Sequence, residues 1–309
     1  MNKSSRIYIA GHTGFIGSAV LAALKRDGYN NLIYKTHKEL DLASQEKVNV
    51  FFKRTKPEYV FLLAARVGGI YANSIYPAEF IYQNFTIQTN VINAAYIFGA
   101  KKLIFPGSAC MYPKACLQPM KEEYLLSGPI ESTNEPFAVA KISGIKMCQA
   151  YNRQYKAKFI CCVPATGYGP NDHCGPNSHV ISGLIERIHN AKISGKKEVV
   201  VWGSGKAKRE FIYVDDIVSA LIFLMQKYEG SGIMHIGTSK EISIRNLAHL
   251  IKEVIDFKGR LIFDTKKPDG NLRRLLDSQA IKKFGWNANI DLSVGLRLTY
   301  KWYKVQTEK

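Results

Sequence analysis

Apolar residues fall in short runs, separated by stretches in which they recur every three or four positions. The first run, Ile7 to Ala10, leads through a glycine-rich turn to Ile16, Val20, Leu21 and Leu24, which share one face at helical spacing. Strand-like runs recur at 32–34, 59–63, 103–105 and 159–163, and helical stretches lie around 44–54, 77–98 and 136–154. Strand alternating with helix predicts an α/β chain whose parallel sheet is covered on both faces.

Beyond Pro170 the alternation weakens. Gly and Pro cluster at 169–176, a helix is predicted at 178–192 and a strand at 198–202, just before the turn at 203–206. Asp215 and Asp216 are placed to cap a helix that runs to Gln226, and 233–237 reads as a strand able to rejoin the main sheet. The 309 residues therefore divide into a nucleotide-binding domain over 1–170, with a returning segment near 210–240, and a smaller α/β substrate domain over 171–309.

Composition narrows the class. With 46% hydrophobic residues the chain has material for a sizeable core, which excludes a disordered or fibrous protein. No uninterrupted apolar run reaches the roughly 18 residues of a membrane span, and the N-terminus passes straight into a strand without a signal-peptide core. The six cysteines (110, 116, 148, 161, 162 and 174) form no CxxC pair, so neither a disulfide framework nor a metal site is expected, and a reducing cytoplasm is the simplest compartment. Forty-three Lys and Arg against 25 Asp and Glu give +18, a field that gathers phosphates and acidic metabolites. The lysine pairs at 101–102, 196–197 and 266–267 are scattered, and no Arg-rich tract or RNA-motif spacing points to nucleic acid.

Gly11, Gly14 and Gly17 lie directly between the first strand and the first helix. At that place small residues allow a tight turn and let backbone N–H groups approach a pyrophosphate, with Thr13, Phe15 and Ile16 completing the loop. The prediction is a dinucleotide site on a Rossmann-type, doubly wound parallel sheet. Readers of NAD usually place an acidic residue at the end of the second strand, whereas Tyr34-Lys35-Thr36-His37-Lys38 stands there. Lys35 and His37 suit a 2′-phosphate, so NADP is expected over NAD. Asp41, Leu42, Ala64 and Ala65 follow later strands, where loops contact the adenine and the middle of the cofactor.

Further motifs make the chain resemble the extended short-chain dehydrogenase/reductases, and within them the GDP-L-fucose synthase family. They are AARVGGIYAN (64–73), YPAEFIYQN (76–84), GSACMYPK (107–114), TNEPFAVAKISGIK (133–146), YNRQY (151–155), PNSHVI (176–181), VVVWGSG (199–205), REFIYVDD (209–216) and PDGNLRRLLD (268–277). The resemblance implies NADPH-dependent reduction at C4 of a GDP-4-keto sugar, with epimerisation at C3 and C5, in a cytoplasmic homodimer of surface-polysaccharide or nucleotide-sugar metabolism. It assigns Ser108 to the hydroxyl that polarises the ketone, Lys141 to the lysine of a YxxxK helix, and Cys110 and His179 to the epimerising base and acid. Pro164, Lys141 and His179 would also border the cofactor, and Arg187, Trp202 and Arg209 would hold the nucleotide, with Arg274 a weaker candidate beside them. Lys206 and Arg273 are weaker candidates for the same role.

The chain departs from that family at one decisive place. The tyrosine that would supply the proton is Phe137, so the motif reads FxxxK. Three accounts are open: a substitution introduced to trap a complex, a natural variant that takes its proton from water or another side chain, or a protein that binds without turnover. Thr166 also replaces a common Asn, and SAC replaces SSC. These differences admit another sugar, such as a GDP-ketoheptose reduced at C4 without epimerisation. The same motifs also fit a related epimerase or dehydratase that retains its cofactor, and a silent nucleotide-sugar-binding homologue.

Overall fold

The structure is a computed structural model that describes residues 1–175, 178–267, 269 and 271–308, the side chains of 70 and 71 excepted. Pro176 and Asn177 of PNSHVI, and Pro268 and Gly270 of PDGNLRRLLD, lie outside the described residues. The chain runs β1 (Ile7–Ala10), α1 (Phe15–Arg26), β2 (Leu32–Ile33), α2 (Gln45–Thr55), β3 (Tyr59–Leu62), α3 (Ile70–Ile75), α4 (Pro77–Ile97), β4 (Lys102–Pro106), α5 (Glu135–Tyr155) and β5 (Phe159–Pro164). It continues through β6 (Thr166–Tyr168), α6 (Val180–Ile193), β7 (Glu198–Trp202), β8 (Lys208–Tyr213), α7 (Val214–Lys227), β9 (Ile233–Ile236), β10 (Glu241–Ser243), α8 (Ile244–Ile255), β11 (Arg260–Asp264), β12 (Arg273–Arg274), α9 (Gln279–Lys283) and α10 (Leu292–Thr307).

Six parallel strands form the main sheet in the order β2-β1-β3-β4-β5-β9. The order reverses between β1 and β3, which opens a crevice at the carboxyl ends of those strands. Ile7, Ile9, Val60, Phe61, Leu62, Leu103, Ile104 and Phe159 are buried, each 1% exposed or less, as expected of strands covered on both faces. Each such side chain contributes on the order of 1.5–3 kcal/mol through its burial. The sheet is completed by β9, which returns after more than sixty intervening residues to pair with β5 from Cys161↔Ile233 to Pro164↔Ile236.

Close packing brings two helices against this sheet at glycines. A Cβ at Gly17 would stand 1.9 Å from the Gly11 carbonyl oxygen, so α1 approaches the first turn only without one. A Cβ at Gly144 would meet the Phe105 ring at 2.6 Å, which is how α5 comes to lie on β4. A smaller layer carries β10-β8-β12, with β6 beside β8, and the parallel pair β11-β7. Helix α8 covers part of it through Leu247, Ala248, Ile251 and Ile255, and Ser243 Oγ caps it by accepting Asn246 N–H at 3.1 Å.

The predicted aspartate cap of α7 is corrected. Tyr213 precedes the helix, and Asp215 and Asp216 lie in its first turn, because buried Val214 already belongs to the helix. Asp216 turns inward, only 4% exposed. Its carboxylate accepts the N–H groups of Asn289 and Ile290 at 3.0 and 2.9 Å, clamping the loop before α10. Asp216→Ala leaves two donors without acceptors and is expected to lower unfolding free energy by about 2 kcal/mol; an unchanged urea midpoint would refute this role.

Candidate active site

The glycine loop closes over the carboxyl end of β1. Gly11 takes φ +86°, and a Cβ there would strike Ala64 N at 2.6 Å, so Ala64 lies against the turn. Thr13 and Gly14 are exposed, and Gly14, the residue before α1, brings no side-chain cap. Its first N–H groups are thereby left for an anion. His12 Nδ1 is buried and has no hydrogen-bond partner among the described residues, and its ring lies 4.9 Å from that of Tyr34. An open backbone cradle with an orphaned imidazole nitrogen beside it suits the phosphates of a dinucleotide. Phe15 packs toward Gly167, with the ring 3.0 Å from where a Cβ would stand, and Ile16 is half-buried in the first turn of α1.

The basic segment after β2 differs from expectation in its partners. Lys35 Nζ lies 2.8 Å from Glu39, whose carboxyl is pushed down to about 2 by Lys35 and by the Thr36 N–H and hydroxyl. His37 stands 3.9 Å from Asp41, and Asp41 also accepts Ala43 N–H at 2.9 Å. A 2′-phosphate would therefore compete with Glu39 for Lys35. Leu42 is buried, its carbonyl held by Asn90 Nδ2 at 2.9 Å. Ala65 is half-buried, and the neighbouring Arg66 backbone is gripped at both its N–H and carbonyl by Asn84, each at 3.0 Å. Pro164 ends β5 beside Ile236.

Four of the predicted reaction-centre residues come together where β4 ends. Gly107 N–H bonds Cys162 O at 2.7 Å and fixes the loop. Ser108 then starts a short 3-10 turn, Ala109–Met111, accepting Cys110 N–H at 3.5 Å. The Cys110 thiol donates to the same oxygen at 3.3 Å. From α5, Phe137 is 8% exposed and clusters with Cys110, Phe80 and Ala138. Lys141, one turn later, is buried, donates to Pro106 O at 3.0 Å and sits 4.4 Å from the Phe105 ring centroid and 5.9 Å from that of Phe137. Burial pushes its ammonium down to about 8, with Cys110, Cys162 and Cys148 opposing. Burial pushes the Cys110 thiol up, while Ser108, Arg274 and Lys141 pull it down. Gln88, from α4, bonds Ala140 O at 2.6 Å and Ser143 Oγ at 2.8 Å, setting the height of α5 on the sheet.

His179 belongs to a second cluster at the start of α6. Its Nδ1 lies 2.8 Å from Asp172, a buried carboxylate that also accepts Ser182 Oγ–H and His173 N–H. The hydrogen bond to Asp172 raises the imidazole pKa, against desolvation. Asp172 was not singled out from sequence, since an Asp seven residues before a His carries no signal by spacing alone.

The cationic candidates divide. Arg209 and Arg274 are cross-strand partners on β8 and β12. Burial first, and then Arg274, push Arg209 down to about 10, with Asp269 opposing. Two adjacent guanidiniums favour a bound anion. Arg273, by contrast, is spent on Glu241 at 2.6 Å. Arg187 bridges α6 to β7 through Gly183 O and Val200 O at 3.0 and 3.1 Å. Trp202 is 66% exposed, with Lys267 Nζ 5.5 Å from its ring, and Lys206 is exposed.

A switch-point crevice with a glycine cradle at the end of β1, and a serine and a buried lysine at the end of β4 in the same sheet, fits an enzyme of the short-chain, nicotinamide-nucleotide class. Residues 7–237 match the NAD dependent epimerase/dehydratase family. A putative GDP-L-fucose synthase 2 of Arabidopsis thaliana is 51% identical over 98% of this chain and 93% of its own, and the GDP-L-fucose synthase of Escherichia coli K12 is 44% identical over 97% of each. A GDP-mannoheptose C4 reductase from Campylobacter jejuni, solved with NADP bound, superposes with a TM-score of 0.92 at 40% identity, over 98% of this chain and 99% of its own. The chain belongs to the NAD dependent epimerase/dehydratase family, among the GDP-L-fucose synthases.

Because Asp172 raises the His179 pKa, its stabilising effect is full below the unfolded value of about 6.5 and is lost as pH rises through the folded value. Asp172→Asn is expected to return the His179 titration toward about 6.5 in imidazole NMR spectra. A titration that does not move would remove Asp172 from this role.

Proposed function

We propose that the chain reduces the C4 ketone of a GDP-4-keto sugar with NADPH. The observation that carries this reading is the placement of Ser108 and Lys141 at the end of β4, in the same parallel sheet whose β1 ends in the glycine cradle. The relatives named for GDP-L-fucose synthesis and for GDP-mannoheptose C4 reduction support it. The loop of Gly11 to Gly17, His12, Asp41, Leu42, Ala64, Ala65 and Pro164 would hold NADPH. When bound, NADPH supplies the hydride that C4 accepts.

The chain's own groups do the rest. Ser108 Oγ receives two hydrogen bonds from Cys110 and so directs its own proton outward, toward the ketone oxygen. The Lys141 ammonium favours negative charge developing on that oxygen. Arg209 and Arg274 receive the diphosphate, and exposed Trp202 offers a face to the base. His179, whose imidazole pKa the hydrogen bond to Asp172 raises, is suited to deliver a proton at a carbon beside the ketone. Residues 1–170 with the returning β9 form the cofactor half, and most of 171–309 forms the sugar-nucleotide half.

A C4 reductase without epimerisation is the second reading. It is favoured by the Cys110 thiol, which is turned to Ser108. We further read the protein as a cytoplasmic homodimer. Six unpaired cysteines suit that compartment, and exposed Tyr82, Tyr96, Ile97 and Tyr155 on α4 and α5 suit a second copy.

The test is NADPH consumption with GDP-4-keto-6-deoxymannose and a GDP-4-ketoheptose, by the chain and by Phe137→Tyr side by side. Turnover is expected to fall as pH rises through about 8 while Lys141 loses its charge, and Lys141→Arg is expected to move that limb upward. Silence from both forms with every GDP-ketosugar would refute the reading.

A further inference from the structure

With Phe137 in place of the phenol, the question is where the C4 oxygen obtains its proton. We propose that the Cys110 thiol supplies it through the Ser108 hydroxyl, with Lys141 stabilising the thiolate. This rests on the C4-reductase reading above.

Three observations converge on the thiol. Cys110 packs in the same small cluster as Phe137, so its sulfur occupies the neighbourhood from which a phenol would act. Its Sγ donates to Ser108 Oγ at 3.3 Å, and its own N–H reaches the same oxygen, which leaves the serine proton to point elsewhere. Lys141 is a buried cation hydrogen-bonded to a carbonyl, with no ion pair to a carboxylate among the described residues, and its charge acts on Cys110. An ammonium in that position answers an anion that forms and vanishes. In solution a thiol and a phenol ionise at about 8.5 and about 10, so exchanging one for the other beside a lysine preserves the acid strength the step requires.

The step balances as follows. Hydride from NADPH adds to C4 and leaves NADP+, while the carbonyl π electrons move to the oxygen. That oxygen takes the Ser108 proton, Ser108 Oγ takes the Cys110 proton, and the thiolate regains a proton from water. The charged or titratable groups acting on Cys110 are Lys141 from α5 and Arg274 from β12, and Cys162 from β5 and Cys148 from α5 act in turn on Lys141.

Four forms decide it: the parent, Phe137→Tyr, Cys110→Ala and Phe137→Tyr/Cys110→Ala, each assayed for NADPH consumption and, in D2O without NADPH, for deuterium entry at C3 and C5. Loss of a general acid removes on the order of 100-fold or more. Cys110→Ala is expected to lose reduction by that amount, and the double variant to regain it, because the phenol takes over. Cys110→Ala that reduces like the parent overturns the proposal. So does a double variant that stays inactive, since Cys110 would then serve epimerisation alone.

A readout free of turnover accompanies these. In the protein labelled with 13C at cysteine Cβ, with Cys110→Ala giving the assignment, Lys141→Met is expected to raise the Cys110 titration, and Lys141→Arg to leave it near the parent value. A titration indifferent to Lys141→Met overturns the thiolate role. No NADPH consumption by any form, Phe137→Tyr included, refutes C4 reduction itself and is thereby distinguished from failure of the relay.

Discussion

Lys141 is a cation buried between α5 and the end of β4, and its hydrogen bond to the Pro106 carbonyl at 3.0 Å fixes how those elements meet. A charge there is tolerable only if the helix comes near enough for the ammonium to reach that carbonyl. Gly144 permits the approach and Gln88 sets its height. The rings of Phe105 and Phe137 flank the ammonium, so its charge is little screened and acts strongly on anything that becomes negative nearby.

The second half of the molecule answers a different electrostatic problem. On the proposed reading, a sugar diphosphate would bring charge for Arg209 and Arg274 to meet. Arg209 and Arg274 sit side by side and repel one another, whereas Arg273 and Lys208 share Glu241. The sheet thus carries ion-paired and mutually repelling cations within a few residues, so the net charge of +18 describes this surface poorly.

Much of the fold was legible because it is local. The run Ile7 to Ala10, the spacing from Ile16 to Leu24 and the run at 198–202 each declare an element from a single stretch of chain. The run at 233–237 reads as a strand able to rejoin the sheet, though not with which partner; β10 and β12 carry no such signal, because polar residues dominate them, and β8 mixes Lys208, Arg209 and Glu210 with an apolar half too short to declare itself. Helix α8 did carry a signal, with Ser243 ahead of Leu247, Ala248 and Ile251. In the site, sequence pointed to Ser108, Cys110, Phe137 and Lys141 as a group. It could not show that Lys35 is paired with Glu39, that Asp172 stands behind His179, or that Asp216 faces a loop over seventy residues away. Those are facts about partners, and binary patterning records only burial.

The late return of β9 has a consequence for synthesis. The strand that covers the β5 edge is made of residues 233–236, so a ribosome must finish roughly three quarters of the chain before the central sheet can close. Until then β5 presents an open, apolar edge with three of its residues being Cys161, Cys162 and Val163, a template for pairing with another nascent chain. The pairing edge of β5 is thus exposed to neighbouring chains until the residues that cover it exist.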